Sequence, residues 1–168
     1  MKKAFTLLEV IISITIFMIL LIFLYKVLDQ TKSSNKQFNT TTLNLKYKND
    51  LNSILVEDFL EKTDKITIQI DRKKNTILKL KTFNTYHNPF SNNITYMISS
   101  NSKLLRIESK DEFTLSQTPI EFFDNAFIDI LLDNVEYFEV LTANNKNYAI
   151  IVKQKNKKRV IFNVFLLE

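Results

Sequence analysis

The sequence predicts an α+β fold in which one long N-terminal helix, membrane-spanning in its first half, packs its second half on an antiparallel β-sheet head. Three observations carry this prediction. Residues 5–25 form an apolar run broken by a single charge, no Gly or Pro precedes Pro89, and beyond residue 64 apolar residues alternate with polar ones in short segments between polar turns. A chain of 168 residues has room for one domain of ordinary size beside an anchor.

The first element is the run AFTLLEVIISITIFMILLIFLY, in which Glu9 is the one charged residue and Thr6, Ser13 and Thr15 are small polar interruptions. At about 1.5 Å per residue, a helix over residues 5–25 covers the roughly 30 Å hydrocarbon core of a bilayer. Residues 10–25 are apolar all round, whereas a buried helix of a soluble domain keeps a polar stripe. Lys2 and Lys3 give a basic start like that of a secretory signal. The apolar run is nevertheless longer than a signal core of about 7 to 15 residues, and no pair of small residues follows Leu24 for cleavage, so the span is expected to stay. Glu9 is the anomaly. An ionised carboxylate in hydrocarbon costs about 2 to 3 kcal/mol unless it is partnered, which marks Glu9 as a functional residue unless it snorkels to the headgroups.

Nothing breaks the helix over residues 26–62. Leu43, Tyr47, Leu51, Ile54, Leu55 and Phe59 recur at three- and four-residue spacings and form a stripe expected to pack on the sheet. The stretch KSSNKQFNTTT between the two halves is poor in helix formers and is expected to fray or bend. A helix continuous over residues 5–60 would be about 84 Å long.

The head occupies residues 63–168. Hairpins are predicted for residues 65–70 with 76–83, joined by DRKKN, and for 93–99 with 103–109, joined by SNS. After Pro119, the segment FFDNAFIDILLDNV at 122–135 is expected to be a short helix or irregular. On a helix Asp129, Asp133 and Glu136 would share a face, with too few oxygen ligands and no turn for calcium. Segments 135–143, 147–153 and 159–167 read as three strands of an antiparallel meander. With no glycine in the chain, asparagine is expected to occupy turn positions that need φ > 0.

Composition excludes several functions. Gly 0 and Cys 0 rule out a glycine-rich phosphate loop, a disulfide and a thiolate metal site. The single histidine, His87 in TYHNPF, reads as a surface turn residue with no catalytic partner, and the neighbours Glu57 and Asp58, like Asp111 and Glu112, point apart rather than forming an acid/base pair. The chain is therefore expected to be no enzyme and to need no cofactor. A net charge of +5 and a pI near 9.3 permit an anionic partner. Lys153, Lys155, Lys157, Lys158 and Arg159 surround a hairpin turn, and Arg72, Lys73 and Lys74 form a second basic turn. These are either solvated turns that protect strand ends or contacts for DNA phosphate or for an acidic face of another subunit. Few aromatics interleave with them, which argues against stacking on single-stranded DNA.

KKAFTLLEV followed by about 16 apolar residues resembles the signal of type IV prepilins and type II secretion pseudopilins. The resemblance implies that prepilin peptidase removes leader residues 1–4 between Ala4 and Phe5, and that the new terminus at Phe5 is N-methylated. It also implies that Glu9, at the fifth mature position, meets the terminal amine of a neighbouring subunit during assembly. Ala4 departs from the glycine usual before the cut. The implied location is the bacterial inner membrane, single-pass, with the N-terminus cytoplasmic and the head periplasmic. Charge alone leaves orientation a near tie, with Lys2 and Lys3 facing Lys26, Lys32 and Lys36. The implied partners are prepilin peptidase, other pilin or pseudopilin subunits and the inner-membrane assembly platform.

The order LNLKYKNDLNSILVEDFLEK, ITYMISSNSKLLRIES, LLDNVEYFEVL also resembles the layout of J-type minor pseudopilins, with Leu104, Leu105 and Arg106 as the mid-chain L-x-R strand. The expected function is a minor subunit of a short fibre in type II secretion or a related system. The alternative is a competence pilin of a DNA-uptake machine, whose basic turns bind DNA.

Overall fold

A computed structural model describes residues 6–114, 120–143 and 146–166; Ala4, Phe5 and Pro119 lie outside the described residues. The chain divides into two compact units, Met1–Asn49 and Asp50–Glu168. Helix α1 (Leu7–Leu60) begins in the first unit and ends in the second.

In the first unit every described residue is exposed, including the apolar residues from Leu7 to Leu28. An apolar surface of this extent requires lipid or a protein partner, and α1 is long and apolar enough to cross a membrane. The stretch predicted to fray or bend is helical throughout. Within it the hydroxyls of Thr40 and Thr41 donate to the Gln37 carbonyl, at 3.3 and 2.9 Å, so these poor helix formers satisfy their polar groups on the helix itself.

In the second unit Leu51, Leu55 and Phe59 are buried, but Leu43 and Tyr47 are exposed. The predicted stripe is thus corrected: its buried part begins only at Leu51, and its first two residues are exposed. Helix α1 stops where the chain turns into an antiparallel bridge between Lys62 and Thr82, with Thr63 N–H donating to the Lys81 carbonyl at 2.7 Å.

The head contains β1 (Thr67–Ile70), β2 (Thr76–Lys81), β3 (Asn93–Ile98), β4 (Leu104–Ser109), α2 (Ile120–Asp124), β5 (Phe127–Leu132), β6 (Val135–Thr142), β7 (Asn147–Gln154) and β8 (Val160–Phe165). Strands β1 to β5 form one antiparallel sheet in chain order, and β6 to β8 form a second. Both predicted hairpins and the closing meander are present. The segment at 122–135 is corrected: only Ile120–Asp124 is helical, and FIDILL is a strand paired with β4 through Arg106↔Asp129 and Ile107↔Ile128. A six-residue apolar run is too short to favour either state by periodicity, and the open edge of β4 supplied the partner for its backbone.

The two sheets meet where Asn75 Oδ1 accepts the Phe138 N–H at 3.3 Å and Thr76 Oγ1 accepts the Val140 N–H at 3.1 Å. These side chains cap the β6 edge, whose backbone would otherwise be buried without partners. Leu51, Leu55 and Phe59 pack with Leu78, Tyr96, Leu104, Phe138, Ile150 and Phe162 in a common core. Among the described residues four take positive φ: Asn134 and Asn156 as expected, but also Lys74 and Ser102, so asparagine shares that role.

Candidate functional site

The N-terminal site begins at Thr6, the residue before α1. Thr6 Oγ1 accepts the Glu9 N–H at 3.3 Å, while the Glu9 carboxylate accepts the Thr6 N–H at 2.9 Å and its hydroxyl at 3.0 Å. This is a reciprocal capping box, in which two helix-start donors that lack intrahelical partners are satisfied. Its signature, Thr-x-x-Glu ahead of an apolar run, is legible in the sequence. Glu9 thus has a partner within its own chain at the end of an apolar helix.

The head holds a second cluster, which the sequence reading missed. Asp58, on the core-facing side of α1, and Arg106 and Glu108, on β4, are each fully buried. Arg106 Nε and Nη2 donate to the two oxygens of Asp58 at 2.8 and 2.9 Å, a bidentate pair, and Nη1 donates to Glu108 at 2.8 Å. Nη2 also donates to the Asn84 carbonyl at 2.7 Å, and the guanidinium lies 4.3 Å above the Tyr86 ring. The Tyr96 hydroxyl donates to Asp58. Glu108 accepts the backbone N–H groups of Tyr86, His87 and Asn88 at 3.0, 3.1 and 3.3 Å. The cluster therefore ties the end of α1, the sheet and the loop after β2 together through one cation.

Electrostatics follow from this geometry. Burial pulls the Arg106 guanidinium downward, but the hydrogen bonds and charge of Asp58 outweigh it and hold it above its ordinary value. Burial pushes Glu108 upward, yet the N–H groups of Tyr86 and His87, with Arg106, bring its carboxyl below the usual range. Burial and the charge of Asp58 hold the Tyr96 phenol well above its usual value.

His87, in the loop after β2, has a side-chain neighbour on β5. Its Nε2 lies 3.0 Å from Asp129 Oδ1, and its ring stacks on Phe127 with centroids 4.8 Å apart. The two residues are 42 positions apart, and only the pairing of β5 with β4 brings Asp129 beside the loop. With Glu108, these residues bring three metal-ligand types within 4.8 Å of one another. Glu108 already accepts three N–H groups and a guanidinium, and Asp129 faces His87, so these groups hold the loop to the sheet. The predicted shared face of Asp129, Asp133 and Glu136 does not exist: they sit on β5, after it and on β6, pairing with His87, Lys103 and Lys153 respectively.

Lys153, Lys155, Lys157, Lys158 and Arg159 are all exposed, at the end of β7 and in the turn to β8, where Asn156 has φ 61°. Lys153 is held by Glu136 at 2.9 Å. In the turn between β1 and β2, Asp71 accepts the N–H groups of Lys73 and Asn75, leaving Arg72, Lys73 and Lys74 exposed.

Residues 1–25 match the family model described as the prokaryotic N-terminal methylation motif. Comparison with curated proteins and with solved structures gave no match.

Proposed function

From a chain whose first 25 residues carry the N-terminal methylation motif of the type IV pilin and pseudopilin family, we propose a minor pseudopilin-like subunit of a short fibre, in type II secretion or a related system. The carrying observation is that motif joined directly to an apolar helix whose one charge near its start is Glu9. Prepilin peptidase cuts between Ala4 and Phe5, with Lys2 and Lys3 on the cytoplasmic side and the head in the periplasm. The freed and methylated amine of Phe5 stays cationic. In a medium of low dielectric it and the Glu9 carboxylate of a neighbouring subunit attract strongly, and each is costly to bury alone. Before assembly the Thr6 capping box gives Glu9 an internal partner, so the stored subunit does not hold a bare carboxylate in lipid.

The head supports a structural role. Its charged cluster is closed on itself, and its layout, with Arg106 on the mid-chain strand, favours a J-type subunit. Variants Ala4→Arg and Glu9→Ala, expressed at the parent's level, are expected to lose processing and assembly respectively. Assembly and secretion at the parent's level by both would overturn the reading.

A second reading rests on the exposed turn from Lys155 to Arg159: a competence pilin that holds duplex DNA. It requires salt-dependent DNA binding by the full chain in micelles, lost when Lys155, Lys157 and Lys158 become Glu. No binding at low salt removes it.

A further inference from the structure

Each sheet of the head ends in strands with one unpaired side. The β6 edge is capped by Asn75 and Thr76, and β1 has only four residues, which leaves β5 and β8 as open edges of six residues each. Both are apolar and exposed. On β5, Phe127, Ile128 and Ile130 are accessible, and on β8, Ile161 and Phe165. Neither edge has a backbone partner on its outer side among the described residues. Such edges are templates for another strand unless charge or cover prevents it.

Charge here is sorted by edge. Residues 120–133 carry Glu121, Asp124, Asp129 and Asp133 and no Lys or Arg, whereas residues 153–165 carry Lys153, Lys155, Lys157, Lys158 and Arg159 and no carboxylate. Two β5 edges would bring like charges together, and so would two β8 edges. A β5 edge against a β8 edge instead matches opposite charge, equal length and apolar content.

We propose that the β5 edge of one copy of this chain pairs in parallel with the β8 edge of a second copy, Phe127 beside Val160, so that Glu121 and Asp124 lie along the basic turn of the neighbour. Glu121 and Asp124 pair with no cation among the described residues, so the acidic side of the contact gives up no internal ion pair. The two surfaces differ, so the contact is heterologous and leaves one open edge at each end of any run of copies. Main-chain bonding supplies attachment, and the sorted charge sets partner and direction. This goes beyond fibre membership: it assigns the basic turn an acidic protein edge as its partner.

The chain has no cysteine, which makes thiol crosslinking clean. Full-length Ile130→Cys and Asn163→Cys chains would be mixed in one membrane and oxidised. The expected result is a dimer from the mixture, none from either variant alone, and a ladder beyond dimer from a chain carrying both. Lys158→Glu with Arg159→Glu in the Asn163→Cys chain should cut the yield about tenfold, and Glu121→Lys with Asp124→Lys in the Ile130→Cys chain should restore it. A dimer from Ile130→Cys alone, no crosslink in the mixture, or a yield insensitive to charge reversal would overturn the proposal. So would duplex DNA binding at the turn that leaves the mixture uncrosslinked. The readout is head contact in the full chain, so it is independent of processing at Ala4: an unprocessed Ala4→Arg background should crosslink as well as the parent.

Discussion

Replacing Arg106 by Leu removes the one cation shared by Asp58 and Glu108, both fully buried. The variant loses the bidentate pair to Asp58, the bond to Glu108 and the bond to the Asn84 carbonyl. Breaking a buried ion pair from one side costs about 3 to 5 kcal/mol, because the partner is left as an uncompensated charge. Against a total stability of about 5 to 15 kcal/mol for a domain, that is a large share. With a urea slope of about 2 kcal/mol/M, the unfolding midpoint of the head should fall by about 2 M. The assay is urea unfolding of the full chain in micelles, followed by tyrosine fluorescence, since the chain has Tyr 6 and Trp 0. A companion variant, Asp58→Leu/Tyr96→Phe/Arg106→Met, removes the pair together with the hydroxyl that would lose its acceptor. It should recover the part of the loss that comes from stranding Asp58, because an apolar replacement of a buried pair avoids the desolvation cost, while Glu108 keeps its backbone N–H donors. A midpoint for Arg106→Leu within about 0.3 M of the parent would refute the reasoning, as would a triple variant less stable than the single.

Two further outcomes follow from the same geometry. Glu108 is held below its ordinary value of 4.5 in the folded head, so its stabilisation is complete above that pH. It is lost as pH falls through the lowered folded value; Glu108→Gln should flatten stability against pH below about 4.5, and an unchanged acid limb would contradict this. Thr6→Val removes the capping hydroxyl and should cost about 1 kcal/mol at the helix start. Faster hydrogen exchange at the first turn of α1 in micelles would register it, and unchanged exchange would count against the cap.

Local pattern made much of the fold legible. The apolar run, both hairpins and the final meander were readable because each rests on periodicity within a short window. The strand FIDILL was not, since its state depends on an edge contributed by β4, some twenty residues earlier in the chain. The buried charges pair across separations of up to 48 residues, which no local pattern encodes. A trace of them was nonetheless present. Asp58 falls on the stripe of Leu51, Leu55 and Phe59, and Arg106 and Glu108 share a strand face with the buried Leu104, so charges occupy core positions of both elements. The helix's exposed middle failed the packing prediction for a different reason: Leu43 and Tyr47 have the right spacing, but spacing does not say where the head begins.

The central claim is processing at Ala4 and Phe5 into a fibre subunit, and the intact mass and N-terminal residue of the protein from its native membrane test it most directly. The account predicts a chain that begins at N-methylated Phe5. A chain that still begins at Met1, in cells with active prepilin peptidase, would contradict it.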